Sequence, residues 1–148
     1  MTTTFASPTL RLTEHQYRAI VAHCYDGLPD EACGLLVGSM LPSGEPTGSV
    51  SEARPARNAD ASARTYTVDP KDMLGAMRAA EARGEEIVGV WHSHTHTDAY
   101  PSPTDVRQAA DPAWLYVIVS LRDQAPVLRA YRIRGGEIAE VAVALDRG

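Results

Sequence analysis

One short segment of the chain, residues 92–105, concentrates side chains that bind metals or transfer protons. His92 and His94 are separated by one residue, and side chains at positions i and i+2 of an extended strand point the same way. The two imidazoles can therefore converge on one ion, and Asp105 can add a carboxylate. Three protein ligands with an open position for water are typical of catalytic rather than structural zinc. The segment is thus a candidate metal site.

The same residues also fit purely structural roles. Ser102 is a good helix cap, Pro103 suits the first helical position, and Asp105 is favoured by the helix dipole. His96 extends the histidine run, and alternating histidines also occur in solvated loops. Taken one by one, these residues leave metal binding and a structural role both open.

The elements around this segment indicate how it would be positioned. Residues 86–91 form an apolar run that predicts a buried strand leading into a polar loop, His92–Pro101. A short helix is expected to begin at Ser102. Near the N-terminus, Thr13 followed by Gln16 is a capping-box pattern that predicts the start of another helix.

The rest of the chain alternates between apolar runs and turn signals. Asp69-Pro70 predicts the start of a helix, and Gly135-Gly136 predicts a two-residue hairpin turn. Further strands are predicted at residues 32–38, 50–57, 64–68, 114–121, 127–134 and 137–144. The expected fold is α/β, with a mixed, mostly antiparallel sheet flanked by about three helices.

Composition limits the classes of protein that remain. The chain has 148 residues, which suits one domain, and a formal net charge of −5, which disfavours nucleic-acid binding. No apolar stretch is long enough for a membrane span, and no signal peptide is evident. Two cysteines are too few for a disulfide framework, so a cytoplasmic location is expected. Residues 1–9 are expected to be disordered, and residues 10–148 to form a single domain.

The joint spacing of the polar residues is more specific than any one of them. His92-x-His94, seven further residues, Ser102, two further residues and Asp105 resemble the JAMM (MPN-plus) metalloprotease motif at every position. The motif also needs a glutamate before a Gly-rich apolar strand, and Glu31 stands there.

The resemblance runs from Leu12 to about Val143 and implies a JAMM/MPN domain, a sandwich similar to that of cytidine deaminases. It implies that zinc is held by His92, His94 and Asp105. Within this resemblance Glu31 is the general acid–base, and Ser102 donates a hydrogen bond to the oxyanion of the tetrahedral intermediate.

Three other interpretations of the sequence were weighed. Cys33 could serve a Cys–His hydrolase, but it lies inside an apolar run where a thiol behaves as a small hydrophobe. The chain has no Pro-Cys-x-x-Cys motif, which excludes a nucleobase deaminase. Many MPN domains are metal-free scaffolds, but those typically lack the ligands that this chain retains.

The resemblance also narrows the substrate. The chain has no long insertion around residues 92–114, so a ubiquitin-gripping deubiquitinase is disfavoured, although a compact isopeptidase stays open. It resembles most the small actinobacterial hydrolases that release cysteine from the Gly-Gly C-terminus of a ubiquitin-like, β-grasp sulfur-carrier protein. That resemblance implies a role in cysteine or sulfur-metabolite biosynthesis. A homodimer is possible, and the role of His96 stays open.

Overall fold

The computed structural model describes residues 8–147 and contains one mixed sheet with helices on both faces. In chain order its elements are β1 (Leu10–Thr13), α1 (Glu14–Asp26), β2 (Cys33–Met40), β3 (Pro46–Ala56), α2 (Pro70–Ala82), β4 (Glu86–His94), α3 (Pro103–Gln108), β5 (Leu115–Ser120), β6 (Val127–Arg134), β7 (Glu137–Val141) and β8 (Val143–Asp146). Disorder is expected for residues 1–9, and residues 1–7 of that segment lie outside the described residues.

The sheet is mostly antiparallel, and its order is β7-β6-β5-β4-β2-β3-β1-β8. Strand β4 pairs antiparallel with β2 and parallel with β5, so it lies in the interior of the sheet. The parallel β4–β5 pair is connected through α3, as a crossover between parallel strands requires. The predicted fold class is confirmed.

The helices cover opposite faces of the sheet because neighbouring strand residues point to opposite sides. On one face, Ile20 and Cys24 of α1 pack in a cluster with Leu36, Trp91 and Val117. On the other face, a second cluster joins α2 and α3 to the sheet through Ala76, Met73, Val106, Leu35, Val90 and Ile118. Each face therefore has its own apolar core.

Gly34 lets β2 lie close to the large side chain at the centre of β4. A Cβ atom at Gly34 would lie 2.1 Å from Cζ2 of Trp91 and 2.5 Å from the carbonyl oxygen of Arg54. Because neither the indole nor the backbone can move that far in a packed core, only glycine fits there. This explains the glycine in the strand that follows Glu31.

Several predicted boundaries differ from the structure. The strand predicted at residues 64–68 is wrong: only one isolated bridge, Asn58 to Val68, forms there. The strand predicted at residues 86–91 continues to His94, because β2 supplies ladder partners as far as His92 and β5 as far as His94. The strand predicted at residues 137–144 is divided in the structure into β7 and β8, which ends at Asp146. Strand β1 was not predicted, since it has four residues and pairs mainly with β8.

The helix starts and the hairpin were predicted well. Thr13 and Gln16 form a capping box at α1, and Asp69 caps α2. Gly135 and Gly136 both have positive φ angles, +55° and +83°, as a tight hairpin turn requires. Within residues 8–147, none of the helices has the length and apolar character needed to cross a membrane.

Candidate active site

The two histidines of the motif lie at the end of β4 and share one face of the sheet. His92 is paired with Cys33 of β2 and with Ile118 of β5, while His94 is paired with Ser120 of β5. Strand alternation therefore directs both imidazoles to the side that carries α3. Their exposed fractions are only 3% and 5%, so the sheet holds both rings in place.

The start of α3 brings the carboxylate to the same place. Ser102 Oγ accepts a hydrogen bond from the backbone N–H of Asp105 at 3.0 Å. In return, the backbone N–H of Ser102 donates to Asp105 Oδ2 at 2.9 Å, which completes a capping box. The structural role weighed for these two residues is thus present, and it also orients the carboxylate.

The ligand atoms of His92, His94 and Asp105 converge within 4.8 Å of one another. Nε2 of His92 lies 3.3 Å from Asp105 Oδ1, and Nε2 of His94 lies 2.9 Å from Oδ2. The Nδ1–H of His94 donates to the carbonyl oxygen of Asp98 at 2.7 Å, which directs Nε2 toward Asp105. This second hydrogen bond is the arrangement that orients metal-binding histidines.

The chemistry of this donor set fits a metal ion. Nε2 of His92 is buried and has no hydrogen-bond partner among the described residues, although buried ring nitrogens normally have one. Two imidazole nitrogens and one carboxylate are a common ligand set for zinc, and within residues 8–147 no fourth protein ligand closes the cluster. His92, His94 and Asp105 therefore fit a divalent metal with room for a further ligand.

The electrostatics of the cluster favour a positive charge between the three groups. Burial lowers the pKa of His92, so its ring tends to stay neutral. Burial opposes charge on His94 as well, but hydrogen bonds to Asp105 and to the Asp98 carbonyl raise its pKa. Burial disfavours the charged carboxylate of Asp105, yet its contacts with both histidines hold its pKa well below the ordinary range.

Glu31 lies beside this cluster because β2 and β4 are antiparallel. The backbone N–H of Ser93 donates to the carbonyl oxygen of Ala32 at 3.0 Å, and Ser93 Oγ accepts from the Ala32 N–H at 2.9 Å. These two bonds fix the residue next to Glu31 against the His-x-His segment. Glu31 is only 6% exposed, and this burial raises the pKa of its carboxyl group to about 7.

Glu31, His94 and Ser102 line one cavity of about 320 Å³. The structure thus brings all five predicted site residues together, since His94 belongs both to the ligand cluster and to this cavity. His96 lines the cavity too, and its side chain is exposed. A carboxyl group with a pKa near neutrality beside a candidate metal is suited to proton transfer.

Cys33 pairs with His92 across the sheet and shares its face, but it does not line this cavity. It is fully buried, and its thiol donates to the carbonyl oxygen of Arg57 at 3.5 Å. Burial raises its pKa to about 12, so the thiolate is disfavoured at neutral pH. The geometry gives Cys33 a packing role and no nucleophilic one.

Sequence reasoning missed several residues that hold the site. Asn58 Nδ2 donates to the carbonyl oxygen of Glu31 at 3.0 Å, and Thr95 Oγ1 donates to that of Ala63 at 3.2 Å. The ring of Tyr66 stacks on His92 with centroids 4.2 Å apart. All three contacts join the loop between β3 and α2 to the site, and no local pattern reveals contacts between segments so distant in sequence.

Residues 13–134 match the family model of prokaryotic homologues of the JAB domain. The chain belongs to this family. It is 44% identical over 128 residues to the CysO-cysteine peptidase of Mycobacterium tuberculosis, a match that covers 84% of this chain and 83% of that protein. It is 31% identical to the desampylase of Haloferax volcanii, over 95% of this chain and 99% of the relative.

A solved structure shares the observed fold. A solution structure of a protein from Desulfitobacterium hafniense superimposes with a TM-score of 0.81 at 33% identity, covering 93% of both chains. The family model and the identity to a curated relative confirm the predicted family. The superposition supports the predicted architecture.

Proposed function

We propose that this chain is a zinc-dependent JAMM-type hydrolase that acts on a ubiquitin-like sulfur-carrier protein. It cleaves the amide between the carrier's C-terminal glycine and an attached amino acid, in the first place cysteine. The observation that supports this most is the meeting of a three-ligand cluster, a proton-transfer carboxyl group and a hydroxyl donor around one cavity. The 44% identity to a CysO-cysteine peptidase supports the choice of substrate.

His92, His94 and Asp105 are the residues that would hold zinc. When bound there, zinc would lower the pKa of water and polarise the carbonyl group of the substrate. Both imidazoles are buried in the sheet, and the hydrogen bond to the Asp98 carbonyl oxygen orients the ring of His94 with Nε2 toward Asp105. Such preorganisation favours binding, since few side-chain rotations are lost.

Glu31 takes a proton from the attacking water and later delivers one to the leaving amine. A pKa of about 7 suits both steps, because a group that titrates near the working pH gains and loses protons readily. Glu31 therefore acts as base and then as acid within one cycle. The carbonyl carbon–nitrogen bond breaks, and the products are the carrier carboxylate and a free amino acid.

Ser102 is placed to donate to the oxyanion. Its Oγ accepts the Asp105 N–H with one lone pair, so its hydroxyl hydrogen stays available for a further hydrogen bond. A preorganised donor of this kind stabilises the charge that develops on the carbonyl oxygen. The helix cap and the catalytic hydroxyl are thus the same group, used through different atoms.

The decisive experiment follows the mass of a carrier protein ending in Gly-Gly-Cys during incubation with the enzyme. Wild type should remove the cysteine, whereas Glu31→Gln should bind zinc and fold normally but lose activity by roughly 10²–10⁴-fold. Cys33→Ser is the matched control: it should lose stability rather than activity. If Glu31→Gln were active and Cys33→Ser were folded but inactive, the Cys33 thiol would be the nucleophile instead.

Cleavage of an isopeptide-linked protein conjugate is a second candidate function. The 31% identity to a desampylase favours this candidate, since the name denotes an enzyme that removes a conjugated modifier. Cleavage of a carrier–protein isopeptide bond, with a carrier–cysteine amide left intact, would establish this candidate. Absence of metal and of both activities would favour a scaffold.

The remaining sequence predictions belong to this proposal. We propose that residues 10–148 work as one JAMM domain in the cytoplasm and that the carrier tail ends in Gly-Gly. Such a tail carries no side chains that would obstruct its approach to Ser102. The sequence left a homodimer possible, and sedimentation of the purified protein would test for it.

A further inference from the structure

Arg64 is a cationic side chain at the rim of the candidate active site that no part of the proposed reaction uses. It lines the same cavity as Glu31, His94 and Ser102, and no other lysine or arginine lines that cavity. Arg64 is exposed, and within residues 8–147 its guanidinium makes no ion pair or hydrogen bond. A free guanidinium beside a reaction centre is available to a substrate anion.

The backbone next to Arg64 is hydrogen-bonded to Glu31 and to Thr95, the residue that follows His94. The N–H of Glu31 donates to the carbonyl oxygen of Ser62 at 2.8 Å, and Thr95 Oγ1 donates to that of Ala63 at 3.2 Å. The N–H of Arg64 itself donates to Ser62 Oγ at 3.0 Å. The loop therefore holds the backbone of Arg64 near Glu31, while the side chain of Arg64 is exposed.

The position next to Glu31 determines which part of the substrate Arg64 meets. Glu31 delivers its proton to the leaving amine, so the leaving residue lies on the Glu31 side of the cavity. In a single C-terminal amino acid the α-carboxylate is separated from that amine by one carbon atom. An isopeptide-linked lysine offers only neutral amides beyond a four-methylene chain, and no anion near its amine.

The charges around the cavity favour a cation at its rim. Glu31 lines the cavity, and Asp105 contacts His94 at its edge, so the protein itself places carboxyl groups near the leaving residue. A like charge close by disfavours an anion. Arginine relieves this conflict and presents two parallel N–H donors, which match both oxygens of a carboxylate.

From this geometry we propose that Arg64 binds the free α-carboxylate of the leaving amino acid and thereby selects single C-terminal residues. The inference rests on the proposed function and adds the feature by which the leaving group is recognised. The enzyme would then remove a single C-terminal residue from a carrier protein, as a carboxypeptidase does. It would accept different side chains on that residue, because Arg64 binds the carboxylate.

The experiment compares a carrier ending in Gly-Gly-Cys with the same adduct ending in cysteinamide, which lacks the negative charge. Wild type should favour the free acid by about 10-fold or more in kcat/KM, the range of a charge-assisted hydrogen bond. Arg64→Ala should abolish this preference. It should lower kcat/KM for the free acid, chiefly by raising KM, and leave kcat/KM for the amide unchanged. Arg64→Lys should keep part of the preference, since it retains charge but not the paired donors.

Binding gives a readout that does not depend on turnover. In a Glu31→Gln background, calorimetry should show tighter binding of the acid than of the amide, and Arg64→Ala should abolish the difference. Arg78→Ala is the matched control, because Arg78 is an exposed arginine of α2 that does not line the cavity. It should leave both affinities unchanged.

The possible failures are distinguishable. Equal weakening of acid and amide by Arg64→Ala would show that Arg64 contacts the carrier itself and would overturn the inference, as would no effect on either. A wild type that cleaves both adducts equally overturns the inference but keeps the proposed function. If neither adduct is cleaved, the proposed function fails, and the binding comparison alone then decides for or against Arg64.

Discussion

Two helices of this protein begin with the same hydrogen-bonded box, yet only one of them lies in the candidate active site. At α1, Thr13 Oγ1 accepts from the N–H of Gln16, and the Thr13 N–H donates to Gln16 Oε1, both at 3.0 Å. At α3, Ser102 and Asp105 make the same pair of bonds at 3.0 and 2.9 Å. Locally the two helix starts are equivalent.

The third partner of each box makes the difference. The remaining amide group of Gln16 donates to the carbonyl oxygen of Val50 at 3.1 Å, an ordinary structural bond. The carboxylate of Asp105 instead faces the Nε2 atoms of His92 and His94. A capping box is thus a positioning device, and its chemistry depends on what the sheet brings to it.

The largest expected effect comes from removing the charge at the α3 box while preserving its shape. Asp105→Asn keeps an oxygen that accepts the Ser102 N–H, but it lacks the anion that binds a cation. We expect bound zinc to fall from about one ion per chain to almost none. Activity should fall by more than about 100-fold, since even outer partners of metal ligands are worth 10- to 100-fold.

Elemental analysis after dialysis and the carrier–cysteine assay measure both effects. Gln16→Ala is the matched change at α1 and should leave zinc and activity at wild-type levels. An Asp105→Asn protein that keeps its full complement of zinc would contradict the ligand assignment.

An intermediate effect is expected when each cap loses its hydroxyl. Ser102→Ala and Thr13→Ala should each lower the free energy of unfolding by about 1 kcal/mol, because each removes one helix cap. Only Ser102→Ala should also lower kcat, by about 10²–10³-fold, the cost of one oxyanion donor. Denaturant titration and kcat at saturating substrate separate the two effects. Equal kcat values in the two variants would leave Ser102 a cap alone.

The smallest effect is expected from giving the α1 box a carboxylate of its own. Gln16→Glu creates the common Thr-x-x-Glu capping box but loses the bond to Val50, so stability should change by less than about 1 kcal/mol. No second metal ion should bind, because among the described residues the metal-ligating cluster is at α3. Thermal unfolding and elemental analysis check both points. A second bound zinc would mean that the box alone creates the site.

The helix boundaries could be predicted because they depend on neighbours in sequence. The caps at Thr13, Asp69 and Ser102 all form bonds within three residues, so the chain carries the signal locally. The same is true of the Gly135-Gly136 turn, whose positive φ angles require glycine. The pairing of β1 with β8 could not be predicted, because each short strand is stabilised by a partner more than 130 positions away.

The residue types and their spacing already point to a JAMM metal site without any structure: His92, His94, Ser102, Asp105 and an upstream Glu31. That these residues meet depends on the tertiary fold. The antiparallel register of β2 and β4 places Glu31 beside His94, and the Ser102–Asp105 box turns the carboxylate toward both imidazoles. Tertiary contacts also bring Arg64 to the cavity, because Glu31 and Thr95 donate hydrogen bonds to the carbonyl oxygens of the preceding residues, Ser62 and Ala63. A local pattern specifies backbone geometry over a few residues, whereas convergence depends on strand pairing and packing across the whole chain.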